Sequence, residues 1–325
     1  MRIQDAVLDY LNRNRGSYVS GEEIAASLGV TRNAVWKAIR KLEAAGHRID
    51  AVPKRGYALS ADSDVLSAGS VSRYLTTDFP VRLDVRRAVT STNTLLKAEA
   101  EQGAQEGLVL IAEAQTAGKG RLGRQFQSPA GTGVYFSFLL RPTCTAERSL
   151  FITTAAAVAV CRAIEDVTAL HPQIKWVHDV YLNGRKVCGI LTEAAIDFES
   201  GGLHWAVLGI GINIAEPAGG FPEEIRNTAG ALFSGPCPVE MRSRLAAAVI
   251  DRFFELYGDL ETGGFIDEYR RRSFLTGRAI HFSLGNAVYH GVVTGISDEA
   301  HLLVRLDSGE KRAFSAGEVQ IHKGF

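Results

Sequence analysis

The sequence predicts an α+β chain of several domains, on three observations. Its first sixty residues carry apolar side chains at helical spacing and end in a short alternating stretch. From Val81 onward, extended segments alternate with helical ones, and residues 277 to 325 read as short strands separated by turns. At 325 residues the chain exceeds one ordinary domain, and with 46% hydrophobic residues it can bury a substantial core without disulfide or metal staples.

Ile3, Val7, Leu8 and Leu11 recur at helical spacing in a first helix that stops near Gly16. A second helix spans Glu22 to Leu28, Gly29 permits a tight turn, and Thr31 can cap a third helix whose apolar stripe is Val35, Ala38, Ile39 and Leu42. Gly46 ends it. Ala25, Gly29 and Val35 supply the small residue, flexible turn and buried anchor of a helix-turn-helix. Asn33, Lys37 and Arg40 lie opposite the stripe with Arg32 and Trp36 flanking, so the exposed face mixes amide and cationic donors; for any single residue a merely solvated face is the competing reading. Ile49 to Leu59 alternates around Pro53-Lys54-Arg55-Gly56, a turn with two cations, Lys54 and Arg55, at its tip. Three helices and a basic-tipped hairpin in this order resemble the winged helix-turn-helix class, and DNA is the expected partner. Ser60 to Ser70 has the small, polar composition of a linker.

Charge agrees with that reading. The chain carries 36 basic and 36 acidic residues, yet the first sixty hold ten Lys and Arg against six Asp and Glu, which leaves 26 against 30 elsewhere. Cys144, Cys161, Cys188 and Cys237 are widely spaced without a C-x-x-C pair, which suggests neither a disulfide framework nor a zinc site; Cys188 reads as a small buried residue. His204, His281 and His322 form no metal-ligand spacing. Met1 to Arg15 is charged throughout and the longest apolar run, near Ala155 to Cys161, is too short to span a bilayer, so a cytoplasmic protein without membrane contact is expected.

In the central region Val81 to Val89, Gly107 to Ala114, Val134 to Leu140, Lys186 to Ala195 and Trp205 to Ile214 read as strands, Asn93 to Glu101 and Ser149 to Val167 as helices, and Asn183-Gly184 as a hairpin turn. Gly118 to Arg124 packs three glycines and three cations into seven residues. It matches G-x-G-x-x-G formally, but a dinucleotide loop must open a helix, and Gln125-Phe126-Gln127-Ser128-Pro129 cannot sustain one. A Walker A loop is excluded because no G-K-[ST] occurs. What remains is a backbone able to wrap an anion, with Lys119, Arg121 and Arg124 to neutralise it; an exposed basic loop is the bland alternative. Ser91-Thr92-Asn93 places polar groups at a helix N-terminus, and Lys175 to Asp179 with Gly184 to Leu191 adds charges at strand ends and a hairpin.

These patches resemble the biotin-protein ligase family along the whole chain. Ser91-Thr92-Asn93, Gln115 with the Gly118 to Arg124 loop, Lys175-Trp176-x-x-Asp179, Lys186-x-x-Gly189-Ile190-Leu191 and Gly209-Ile210-Gly211-Ile212-Asn213 carry the resemblance. The fused DNA-reading unit is similar to the bifunctional members, which also repress genes of biotin synthesis or uptake. One departure stands: the family usually has Pro and Asn in the middle of the box, where this chain has Val177 and His178.

The resemblance implies a winged helix-turn-helix over 1–62, a class II synthetase-like mixed α/β catalytic domain over 63–274, and a small SH3-like β-barrel over 275–325. It implies biotin and MgATP as substrates, biotinyl-5'-AMP as intermediate and corepressor, and a lysine of a biotin carboxyl carrier protein as acceptor. It also implies operator DNA as a partner and an adenylate-linked homodimer. Lys186 and Arg121 are the implied catalytic cations. The biotin site is expected from Ser91, Thr92, Asn93, Gln115, Lys119, Gly120, Arg121 and Lys186, and the adenylate site from Gly118, Arg124, Phe126, Lys175, Asp179 and Asn213. Phe126 and Asn213 are assigned to the adenosine, Lys175 and Asp179 to phosphates and magnesium. A lipoate ligase, a biotin sensor with a dead catalytic domain and a ligase with a vestigial N-terminal domain are the competing readings.

Overall fold

Caps and turns written into the sequence set the first helices. A computed structural model describes residues 3–197, 201–285 and 287–321. Helix α1 spans Ile3–Arg13, α2 Gly21–Leu28 and α3 Arg32–Ala44. Ser20 accepts from the Glu23 amide at 3.0 Å and Thr31 from the Ala34 amide at 3.2 Å, each satisfying an N-terminal donor that the helix itself cannot. Gly29 ends α2 at φ 65°, a left-handed conformation that costs glycine nothing. Strands β1 (Ile49–Val52) and β2 (Gly56–Leu59) pair antiparallel from Ile49↔Leu59 to Val52↔Gly56, forming the expected wing. Val7, Leu11, Ile24, Val35, Ile39 and Leu42 make the core between the helices.

Residue contacts group Met1–Leu75 with Pro238–Ala247, and Thr76–Cys237 with Ala248–Phe325. The Ser60 to Ser70 stretch is ordered, contrary to its linker-like composition. Asp62 pairs with Arg48, Ser63 accepts from the Arg48 amide at 3.2 Å, and Asp64 binds Arg242 at 3.0 Å. Ser67 and Ser70 form a capping box on the short helix α4 (Ala68–Ser72). The same small polar residues that suit a linker are here consumed as caps and ion-pair partners.

The larger unit is built on a mixed seven-stranded sheet. Strand β3 (Arg82–Val89) leads through helix α5 (Thr92–Glu101) to β4 (Leu108–Gln115), and β5 (Gly133–Leu140) precedes the long helix α6 (Ser149–Val167). Short strands β6 (Gln173–Lys175) and β7 (Asp179–Leu182) then lead to the long hairpin of β8 (Arg185–Ile196) and β9 (Leu203–Asn213). The strand order is β3-β4-β5-β9-β8-β7-β6; β3 and β4 are parallel, joined by the α5 crossover, and the other pairs are antiparallel. Every residue of β5 is buried, as a central strand with both faces covered requires. Helices α7 (Met241–Tyr257) and α8 (Ile266–Arg272) follow, and the Phe253 ring of α7 packs 5.0 Å from Phe138 on β5.

Strands β10 (Ala279–Leu284), β11 (Ala287–Ile296), β12 (Leu302–Leu306), β13 (Lys311–Phe314) and β14 (Glu318–Ile321) form a separate antiparallel sheet, ordered β13-β12-β11-β10-β14. Phe282 and Phe314 lie at its core, ring centroids 4.2 Å apart. It belongs to the same compact unit as the seven-stranded sheet, and the Trp176 indole donates to Ala300 O at 2.8 Å. Among the described residues no helix is long and apolar enough to cross a membrane.

Candidate active site

The N-terminus of α5, the end of β4 and the neighbouring centres of β8 and β9 converge on one open cleft of about 470 Å³. Ser91 caps α5 from an extended conformation, so Thr92 and Asn93 enter the helix with their polar groups turned into the domain. The Thr92 amide and hydroxyl lie 2.9 and 3.1 Å from Gln115 Oε1, and Gln115 Nε2 donates to Ser128 Oγ at 2.9 Å. Asn93 Nδ2 donates to Glu193 Oε2 at 2.9 Å and to Leu191 O at 3.2 Å, while its Oδ1 lies 2.6 Å from the fully buried Ser137 hydroxyl. Lys97 completes the network at 2.8 Å from Glu193 Oε1. Burial pushes the Glu193 carboxyl up, but Lys97 and Asn93 outweigh it and hold the group below its usual range. Gly209 makes the arrangement possible, since a Cβ there would stand 2.1 Å from Asn93 Oδ1.

The glycine-rich loop folds back on itself. Gly120 N–H donates to Arg124 O at 2.8 Å and Phe126 N–H to Gly118 O at 2.9 Å, with Leu122 and Gly123 left-handed at the tip. No α-helix follows, only a short 3-10 turn over Arg121–Gly123. Gly118 is required where the loop closes, because a Cβ would come within 2.4 Å of Phe126 O. The Phe126 ring covers Gly189 and Gly211, where Cβ atoms would stand 3.1 and 2.5 Å from it.

Charges cluster at the other end of the cleft. Lys186 Nζ pairs with Asp179 Oδ1 at 2.5 Å, and His178 Nε2 lies 3.4 Å from the same oxygen. Burial alone would raise the Asp179 carboxyl, but Lys186, His178 and Lys175 together hold it below the usual range. Arg121 Nη1 lies 3.1 Å from His178 Nδ1 and 3.4 Å from Gly317 O. A guanidinium only donates, so Nδ1 accepts and the ring proton resides on Nε2, facing Asp179. Burial, with Lys186, Arg121 and Lys175 nearby, lowers the His178 pKa to about 4 against the pull of Asp179.

All eight residues expected at the biotin site line this cleft: Ser91, Thr92, Asn93 and Gln115 from the sheet side, Lys119, Gly120 and Arg121 from the loop, and Lys186 from β8. Of the adenylate set only Phe126 lines it. Gly118 packs beneath the loop, and Arg124 turns to an ion pair with Glu318. Lys175 sits over the Tyr181 ring at 5.8 Å, with burial lowering its pKa, and Asp179 lies behind Lys186. Asn213 Nδ2 donates to Gly230 O at 3.0 Å; Gly230 N–H in turn bonds Lys186 O at 2.8 Å, so Asn213 holds the segment that fixes the Lys186 backbone. Sequence reasoning missed Ser137, Glu193, His178, Gly317 and Glu318 as parts of this architecture. Of these only His178 carried a signal, as the departure from the box.

In the N-terminal unit Arg32, Asn33, Trp36, Lys37 and Arg40 are exposed along one face of α3. Arg40 sits 5.7 Å over the Trp36 ring and pairs with Glu43 at 3.1 Å. Lys54 and Arg55 are exposed at the wing tip, Arg55 lying 4.2 Å over the Tyr18 ring. Among the described residues no group of three or more His, Cys, Asp or Glu side chains could hold a metal ion; His322 lies outside them.

Family profiles match three stretches of the chain. Residues 4–58 match an HTH domain, 85–213 the biotin/lipoate A/B protein ligase family and 276–321 the biotin protein ligase C-terminal domain. A structure of the biotin protein ligase from Aquifex aeolicus in complex with biotin and ATP is 27% identical. It superimposes with a TM-score of 0.63, covering 76% of this chain and 100% of that one. The bifunctional ligase/repressor BirA of Escherichia coli strain K12 is 27% identical over 310 residues, 94% of each chain. The protein of the same description from Bacillus subtilis strain 168 is 31% identical over 318 residues, 97% of each chain. With the helix-turn-helix unit, the cleft-bearing sheet and the C-terminal sheet all inside that alignment, this chain belongs to the family of bifunctional ligase/repressor BirA proteins.

Proposed function

We propose that this chain makes biotinyl-5'-AMP from biotin and ATP and transfers the biotinyl group to a lysine of a biotin carboxyl carrier protein. With the adenylate bound it represses biotin synthesis or transport genes as a DNA-binding dimer in the cytoplasm. The observation that carries this reading is the meeting of Lys186, Arg121 and the Ser91-Thr92-Gln115 polar array in one cleft, on a chain that also carries an exposed Asn- and Arg-bearing helix. The functional modules are 1–62 for DNA, 63–274 for catalysis and 275–325 for the small β domain.

Ser91, Thr92 and Gln115, with the backbone near Lys119, present the mixed donors and acceptors that a neutral ureido ring needs. In the first step a biotin carboxylate oxygen bonds to the α-phosphorus and the bond to pyrophosphate breaks. Charge builds on the α-phosphate oxygens, and Lys186 and Arg121, fixed in a partly water-excluded cleft, stabilise it more than they would in water. Magnesium, carried in with ATP and assigned by resemblance to Lys175 and Asp179, would supply neutralising charge for the phosphates. Phe126, on its glycine floor, offers an aromatic face to the adenine. In the second step the acceptor amine attacks the acyl carbon, the bond to AMP breaks, and the amine gives up its proton. Both nucleophiles come from substrates, which accounts for a cleft whose charged lining residues, Lys119, Arg121 and Lys186, are cations.

The test is biotin transfer followed by mass, with biotin, MgATP and a biotin-carrier domain, beside a mixture without acceptor run against promoter DNA. One biotinyl group on one carrier lysine, and DNA retarded only with biotin plus ATP, is the expected result. No adenylate and no labelled carrier, with biotin alone altering DNA binding, would instead make the chain a sensor without chemistry.

A further inference from the structure

The feature that the proposed reaction leaves unused is His178, one of the two residues at which this chain departs from the usual box. It lines the cleft between two elements that a bound adenylate must engage together. On one side its Nδ1 accepts from Arg121 of the glycine-rich loop at 3.1 Å. On the other its Nε2 faces Asp179 Oδ1 at 3.4 Å, the oxygen that also holds Lys186 at 2.5 Å. Its carbonyl accepts from Ile190 N–H at 3.0 Å, tying the backbone to the cleft floor. Among the described residues Arg121 is otherwise held by the Gly317 carbonyl at 3.4 Å, a long and weak contact, and the loop tip is solvent-exposed, Leu122 at 77%.

Resting on the ligase reading, we propose that His178 is a positioning residue, a neutral bridge that locks the loop guanidinium of Arg121 to the Asp179–Lys186 pair. The two catalytic cations then face the adenylate phosphate in one fixed geometry. The geometry itself requires a neutral imidazole, since Nδ1 must carry no proton to accept from a guanidinium that only donates. Its single acceptor and single donor match the one donor and one carboxylate that flank it. The bridge acts mainly on retention: with Arg121 held, the loop stays over the adenylate, and without it the loop opens and the intermediate leaves.

The experiment loads the full-length protein with biotinyl-adenylate and follows its release. His178→Ala and Arg121→Ala should each speed release roughly tenfold, the effect of losing one charge-assisted hydrogen bond. If His178 acts through Arg121, the double variant should be no more than about twofold faster than Arg121→Ala alone. His178→Asn, whose carbonyl can accept from Arg121 and whose amide can donate to Asp179, should restore most of the retention. Should His178→Ala fail to fold, His178→Phe keeps the ring volume without the nitrogens and should give the same acceleration. Release at the wild-type rate from the Ala or Phe variant, or full additivity in the double variant, would overturn the bridge while leaving the ligase reading intact. A wild-type protein that forms no adenylate would overturn the ligase reading, and the bridge with it.

Discussion

A methyl group at position 211 would stand 2.5 Å from the Phe126 ring, so the glycine there is what lets the ring lie flat on β9. Gly211→Ala should strain that packing by about 1–3 kcal/mol. If Phe126 holds adenine, steady-state kinetics should show KM for ATP raised roughly tenfold or more, with KM for biotin almost unchanged. A parallel rise in both would separate the ring from the nucleotide. Titration supplies a second residue-scale prediction. His47 is buried in the N-terminal unit, and burial, aided by Arg15, lowers its pKa from 6.5 to about 4. Below pH 6.5 the unfolded chain takes up a proton that the folded one refuses. The contribution of His47 to stability is therefore lost as pH falls from 6.5 to about 4 and changes no further below that, about 3 kcal/mol in all. Amide-exchange protection of α3, corrected for intrinsic rates, should follow this curve, and His47→Asn should flatten it. At this scale the residues that meet in the cleft were legible because they lie in short motifs of polar groups and glycine. Lys175, Asp179 and Asn213 were not legible in their positions, since a motif gives residue types and not whether a neighbour such as Tyr181, Lys186 or Gly230 already engages them.

At the scale of elements, the proposed function predicts separable contributions of α3 and the wing to DNA binding. Asn33→Ala should cost about 1–3 kcal/mol at the operator and relax the preference at one base pair, because an amide reads a base edge. Lys54→Ala should weaken binding to all sequences alike and reduce the salt slope by about one, as loss of a phosphate contact does. Mobility-shift titrations across operator variants and salt concentrations distinguish the two. Identical behaviour of both variants would return Asn33 to a solvated face. The N-terminal helices were legible because caps, left-handed glycine and apolar stripe agree at each step, as Thr31, Gly29 and Val35 illustrate. The sequence reading passed over α7 and α8, although Leu245, Val249, Phe253 and Leu256 recur at helical spacing and are buried. No motif drew the eye there. The stretch from Ser60 was misread because Ser and Asp suit a linker and a cap equally, and partners distant in sequence, among them Arg15, Arg48 and Arg242, decide between them.

For the whole molecule, the C-terminal sheet reaches the glycine-rich loop through Arg124–Glu318 and Arg121–Gly317. Glu318→Lys should therefore speed adenylate release. Arg124 is largely exposed, so the effect should stay within about 1 kcal/mol, or roughly fivefold. The charge-swapped pair Arg124→Glu with Glu318→Arg should recover it, and no change in the single variant would leave the small sheet without a part in retention. Domain order was readable from the change in periodicity along the chain, but this long-range tie was not, because its residues lie 194 positions apart in sequence and no local pattern pairs them.

The chain contains three tryptophans, of which Trp176 and Trp205 are 3% and 7% exposed while Trp36 on α3 is 48% exposed. A neutral quencher such as acrylamide therefore reaches essentially one indole, the one on the face assigned to the operator. Intrinsic fluorescence thus becomes a label-free gauge of occupancy: when α3 is covered, the quenchable fraction should vanish, and the two shielded indoles supply the internal reference.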